Sequence, residues 1–198
     1  SPLPMPLVPA CNTDHMSDHV SAETLANALP SVMAAPRTDA PVDLLCVRPA
    51  KNQRLFPDRI LLTREGGVEG DLEMSQPWLK LDDGRPDPRI QVSILPRRVL
   101  DLVWVDRDRV AHPGDTIIAD LDTSEANLPA GSLIRVGTAV LRVSDIWNRG
   151  CAKWRGRYGN AAYLWTSNPE HKVHRLRGIL CSIEEDGEVA RGGMIAKA

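Results

Sequence analysis

Leu128-Pro129-Ala130-Gly131-Ser132-Leu133-Ile134-Arg135-Val136-Gly137-Thr138-Ala139-Val140-Leu141-Arg142-Val143 holds a proline–glycine turn and two short runs rich in Val, Ile and Leu. Such runs read as strands, and the Pro129-Ala130-Gly131 cluster as the break before them. The same texture continues on both sides. Further runs cover 42–48, 59–63, 90–95, 116–121, 139–146 and 178–183. Gly66-Gly67, Asp82-Asp83-Gly84, Pro113-Gly114-Asp115 and Asp186-Gly187 punctuate them. This rhythm predicts a mainly β domain, closed as a barrel or folded as a sandwich, over 42–198. Residues 96–104 form the best internal helix, with Val99, Leu100 and Val103 on one face. The start of the chain differs. Pro2, Pro4, Pro6 and Pro9 predict an extended tail over 1–20. Residues 21–41 read as a short helix and a proline-rich linker. Ser21 caps the helix, Val20 staples against Leu25, and Pro30 ends it.

The chain has 198 residues, which suffices for roughly one domain with its own core. A formal net charge of −2 gives no overall electrostatic drive toward nucleic acid or anionic membrane. No apolar run approaches the ~18 residues of a membrane span, and no signal peptide is visible. Four cysteines, widely spaced, form neither a redox pair nor a zinc knuckle and fit a reducing cytoplasm.

The charge is unevenly spread. Seven Lys and Arg lie between Trp147 and Arg177 against Glu170 alone, together with five of the eight aromatic residues. Cys151 sits inside this segment, flanked by Arg149, Lys153, Arg155 and Arg157. Neighbouring cations favour the thiolate, which is the reactive form. Gly150 lets the backbone turn, so Cys151 is expected at a strand end, opening a short helix and exposed. The plain alternative is a small buried hydrophobe beside a solvated basic face. In a helix, Lys153 and Arg157 share a face, with Arg149 one turn earlier if the helix begins there. Cys46 and Cys181 lie in apolar runs and read as core; Cys11 has no assigned role. His15 and His19 have a helical ligand spacing without a third ligand. His171 and His174 read as a solvated face, and His112 as a base only if the fold brings it to Cys151. The turn Gly66-Gly67-Val68-Glu69-Gly70-Asp71 reads either as an anion-binding nest or as a plain β-turn.

Taken together, these segments resemble the MOSC domain, the C-terminal module of molybdenum-cofactor sulfurases that also occurs alone. Gly67-Val68-Glu69-Gly70-Asp71 is similar to its G-x-x-G-D turn. Gln91-Val92-Ser93-Ile94-Leu95 resembles its R-Q-V-S-L-L strand, with Ile90 in the arginine place and Arg89 one step before. Gly114-Asp115-Thr116-Ile117 resembles G-E-N-L. The 128–137 stretch is similar to its L-P-x-G-x-x-L-R-V-G hairpin, and Gly187–Gly193 to its closing G-x-V-x-x-G-D. Cys151 falls at the family's characteristic cysteine.

The resemblance implies a β-barrel and sulfur carriage. Cys151 accepts sulfane sulfur from a pyridoxal-phosphate (PLP)-dependent cysteine desulfurase and passes it to a metal–sulfur or molybdenum-cofactor centre. PLP belongs to the partner. The pterin cofactor is expected as ligand or acceptor, with Gly67, Gly70, Asp71, Arg89, Arg149, Lys153, Trp154, Arg155 and Arg157 as binding residues and no resident metal. Trp154 or Tyr158 is expected to stack on the pterin. The competing reading is a binding module for this cofactor or another anion, with an inert cysteine. Single-stranded nucleic acid is a remote variant of that reading.

Overall fold

The 128–143 stretch folds as its pattern predicts. β6 (Leu133–Val136) and β7 (Ala139–Val143) pair antiparallel across Gly137-Thr138, with Val136 opposite Ala139. The structure, a computed structural model, describes residues 19–198. The readings placed on Cys11 and His15, and nearly all of the tail, lie outside the described residues.

Seven strands close into a barrel. In order round it stand β1 (Ala40–Leu45), β10 (Met194–Lys197), β6, β7, β8 (Ile179–Glu185), β4 (Val92–Pro96) and β5 (Ile117–Ala119). β5 then pairs with β1. All pairings are antiparallel except β4 with β5. A separate sheet holds β3 (Gly67–Val68), β2 (Arg59–Thr63) and β9 (Gly187–Ala190). The fold is therefore mainly β, a closed mixed barrel with a few short helices.

The parallel pair is buried on both faces, as such pairs usually are. Ile94 and Ile117 face the barrel interior, whereas their neighbours Leu95 and Ile118 face a second core outside it. Helices cover that outer face: α1 (Ala22–Met33), α2 (Arg97–Val103), α3 (Ala152–Tyr158) and α4 (Asn160–Ser167). Leu25, Val99, Val103, Trp154, Tyr158 and Trp165 fill the space between.

Several boundaries differ from the sequence reading. Pro30 does not end α1. The helix runs on to Met33, and the Ala34 N–H bonds the Pro30 carbonyl. A proline inside a helix costs about 3 kcal/mol. Burial of Leu25 and Val32 on one face, at roughly 1.5–3 kcal/mol each, outweighs that. Ser21 accepts the Thr24 N–H as the expected cap. The stretch read as a linker is divided between the end of α1, a turn in which Arg37 and Asn127 exchange hydrogen bonds, and the first residues of β1. β3, β9, β10 and α4 carry no element in the sequence reading.

Candidate functional site

Cys151 is reached by a loop rather than directly from a strand. β7 ends at Val143, and residues 144–150 follow. Their path is pinned at intervals. The Ser144 N–H bonds the Leu180 carbonyl, the Ser144 hydroxyl accepts the Ile146 N–H, and the Asn148 amide donates to the Arg177 carbonyl. Gly150 is buried so tightly that a Cβ there would stand 2.7 Å from Thr166 Oγ1. Cys151 then occupies the N-cap position of α3, its carbonyl accepting the Arg155 N–H. It is exposed. The other two described cysteines are not: burial pushes the thiols of Cys46 and Cys181 up to about 12. At that value they hold their protons at neutral pH.

Trp154 and Tyr158 recur four apart and turn inward. This leaves Lys153 and Arg155 exposed and Arg157 half-buried on the outer surface of α3. Arg149 precedes the helix, so it does not share the Lys153–Arg157 face. Instead Arg149 and Lys172 both lie over the Trp147 ring, at 5.7 and 5.5 Å. Arg155 stacks on Tyr163 at 3.8 Å. The stacking role expected of Trp154 or Tyr158 is corrected by their burial. They stand at 2% and 1% exposure and pack edge to face on one another. Arg177 covers the Trp154 ring, and the Tyr158 hydroxyl donates to the Ala111 carbonyl.

The remaining expected binding residues are held by the protein itself. In the 66–71 turn, the amides of Gly66, Glu69 and Asp71 bond Thr63 Oγ1, Leu61 O and Val68 O. Gly67 and Gly70 supply the positive φ that the turn needs, +69° and +80°. With those amides satisfied internally, this segment is a β-turn rather than an open nest. Asp71 accepts the Arg48 backbone N–H, the Arg48 guanidinium and the Glu73 N–H. Arg48 also reaches Glu73 at 3.1 Å. Arg89 is gripped on two sides, by Asp87 at 2.8 Å and by Asp145 at 3.1 Å. These bonds hold its guanidinium firmly protonated. They also neutralise it and tie down the loop that leads to Cys151. Arg89 thus steadies the thiol's approach rather than facing a ligand unpaired.

His112 lies at the Tyr158 end of α3, not beside Cys151, so it is not the thiol's base. Its Nδ1 accepts the Gly114 N–H at 2.9 Å, which places the ring proton on Nε2. Phe56 and Trp104 pack against the ring. Burial pushes His112 down to about 4. An unfolded histidine titrates near ~6.5. The stability from this neutral ring is therefore complete above that value and is lost as pH falls toward 4, by about 3 kcal/mol in all. His112→Asn keeps an acceptor for Gly114 but cannot titrate. Its melting temperature should fall less than the wild type's between neutral pH and pH 4.5. Parallel slopes would show that other groups govern the acid limb.

Arg54 is the residue the sequence reading missed. Its Nε donates to the His112 carbonyl, and no carboxylate pairs with it among the described residues. It follows an exposed stretch without any motif. Only the Val47–Leu55 bridge, which sets Arg48 and Arg54 on facing arms, brings it to the site. Among the described residues, no group of three His, Cys, Asp or Glu side chains is placed to hold a metal ion. No described helix is long and apolar enough to cross a membrane.

Comparison with solved structures places this architecture. YuaD from Bacillus subtilis superposes with a TM-score of 0.55 at 20% identity, over 79% of this chain and 93% of that one. The fold is that of YuaD. YiiM from Escherichia coli gives 0.50 at 19% identity, over 81% and 69%. A third protein, described only as hypothetical, gives 0.53 at 20%, over 80% and 68%. At these identities the likeness to YuaD and YiiM is one of fold. No protein-family profile matches the chain. No curated protein matches it either.

Proposed function

We propose that this protein is a MOSC-type sulfur carrier that accepts sulfane sulfur on Cys151. One observation carries the reading: of the three described cysteines, Cys151 alone is exposed, whereas burial keeps Cys46 and Cys181 protonated. The YuaD-like fold supports it at the level of architecture.

In this reading the Cys151 thiolate attacks the terminal sulfur of a persulfide on a PLP-dependent cysteine desulfurase. A sulfur–sulfur bond forms on Cys151 as the donor's sulfur–sulfur bond breaks, and the donor cysteine leaves as a thiolate. No external oxidant is needed. The carried sulfur then passes to a molybdenum-cofactor centre, which is cargo here and not a resident group. The residues present fit such an anionic cargo through Arg149, Lys153 and Arg157, cations with no carboxylate partner among the described residues, and not through Trp154, Tyr158 or Arg89. Both partners belong to a cytoplasmic setting. A second reading is favoured by the same cations: a module that binds the cofactor or another anion while Cys151 stays inert.

The test is intact mass after incubation with a cysteine desulfurase and L-cysteine. The wild type should gain the mass of one sulfur, Cys151→Ser should gain none, and the two should melt alike. Gain that persists in Cys151→Ser, or no gain in the wild type, would leave the binding module standing.

A further inference from the structure

A cavity of about 600 Å³ opens at the C-terminal end of α1. Three segments build it, none of them the loop or the helix that carries Cys151. They are the last turn of α1 with the residues after it, the 121–126 loop that follows β5, and the 3-10 turn Pro169–His174. Hydrogen bonds brace these segments against one another. The Asp122 N–H donates to the Pro36 carbonyl at 2.8 Å, the Glu125 N–H to the Val173 carbonyl at 2.9 Å, and Arg37 Nε to Asn127 Oδ1 at 3.1 Å. The Thr123 hydroxyl donates to the Arg175 carbonyl. The fold thus holds the cavity open before any ligand arrives, which is the usual state of small-molecule sites.

Most of the lining is apolar. Val32, Leu121 and Leu176 form a buried floor, and Met33, Ala126 and Val173 an exposed rim. Met33 and Val173 stand at 48% and 50% exposure, so apolar surface is left for a ligand to cover. Asp122 is the acid of this lining and is half-buried. Its Oδ1 accepts the Ser124 N–H, whereas its Oδ2 has no partner among the described residues. An occupant that covers this carboxylate takes it out of water. That costs free energy unless the occupant brings a donor, and a charged donor serves best. The helix acts in the same sense. α1 ends at the cavity with the negative pole of its dipole, and its last turn holds no basic residue. Glu125 adds a negative charge on the same loop. Arg37 opposes them from the rim. Its Nε and Nη2 are engaged by Asn127 and the Ala126 carbonyl, and it is exposed, so solvent screens it. The His174 ring completes the titratable groups of the wall.

We infer that this cavity binds a small organic cation, a primary ammonium on an apolar body. The ammonium donates to Asp122 Oδ2, and the body lies along the floor of Val32, Leu121 and Leu176. A quaternary ammonium fits less well, because Asp122 needs a donor and no Trp, Tyr or Phe is among the described lining residues. The site is independent of sulfur carriage and of the cations around Cys151.

Calorimetric titration of the full chain tests this with three probes of similar shape: phenylbutylamine, phenylbutanol and phenylbutyrate. The amine should bind saturably and roughly tenfold tighter than the alcohol, and the carboxylate most weakly. Asp122→Asn keeps an oxygen for the Ser124 N–H but loses the charge. It should weaken the amine roughly tenfold and leave the alcohol within about twofold. Ala126→Trp, at the exposed rim, should obstruct both. Glu65→Gln, an exposed acid in the turn after β2, should change neither. The inference is overturned by absent amine binding in the wild type, by equal affinities of amine and alcohol, or by tightest binding of the carboxylate. It is likewise overturned by unchanged amine affinity in Asp122→Asn or an equal loss in Glu65→Gln. Self-association of the wild type that Ala126→Trp abolishes would give the cavity to a second copy of this chain instead.

Discussion

Asp71→Ala is expected to lower stability by about 3 kcal/mol, the lower end for breaking a buried ion pair. The carboxylate is only 5% exposed and receives four hydrogen bonds, from the Arg48 amide, the two sides of its guanidinium and the Glu73 amide. Removing it leaves Arg48 facing Glu73 alone. One Glu73 carboxylate oxygen is already buried without a hydrogen-bond partner, and burial raises the pKa of the group. Asp71→Asn should lie between, because an amide oxygen still caps the 3-10 turn Leu72–Met74 while the charge is lost. Urea denaturation reads both, as a lower midpoint at constant slope. If Asp71 served a ligand and not the fold, Asp71→Ala would keep the wild-type midpoint.

Gly178→Ala is expected to prevent accumulation of folded protein. Gly178 has φ +88° and leads into β8, where Ile179 pairs with Ile94. A Cβ at this position would stand 2.1 Å from the Ile94 carbonyl oxygen and 3.0 Å from Leu95 Cα. Both obstacles are backbone, so no rotamer change relieves them. The β8–β4 pairing must open, and with it the barrel. The expected cost exceeds about 4 kcal/mol, a large share of a domain's total stability. Gly131→Ala separates the two causes. Its φ is +90°, yet nothing lies within 4 Å of its Cβ, so only the backbone term of about 1–2 kcal/mol applies. Equal melting temperatures for the two variants would mean that the close approach of β8 to β4 carries no energetic weight.

The strands with a run of β-branched residues were legible in the sequence. The 59–63 and 133–136 runs match β2 and β6 to the residue. β9 and β10 were not, because β9 opens on Gly187-Glu188 and β10 is four residues with one fully buried side chain, Ile195. Long-range pairing makes them strands, and no local pattern announces it. At the site, the exposure of Cys151 and its place at a helix start followed from Gly150 and the flanking charges. The inward turn of Trp154 and Tyr158 was readable from their four-residue spacing, but the aromatic–basic composition drew attention to their chemistry instead. Arg89 and Asp71 could not be judged from sequence: Arg89 depends in part on Asp145, and Asp71 on Arg48, both distant in the chain. For Arg54 the deciding fact was a missing partner, which only the folded chain reveals.

The barrel's seam bears on how the protein comes to exist. β1 sits between β5 and β10, with Ala40 opposite Ile195. During synthesis β1 emerges before either of its neighbours, and β10 is the last strand to be translated. Until that strand arrives, β1 presents an open hydrogen-bonding edge that invites pairing with other chains. Contacts between such distant segments also close slowly, on the millisecond-to-second scale of barrel-like domains. Nascent-chain aggregation, and its relief by chaperones, should therefore respond to charge placed on the β1 edge far more than to changes around Cys151.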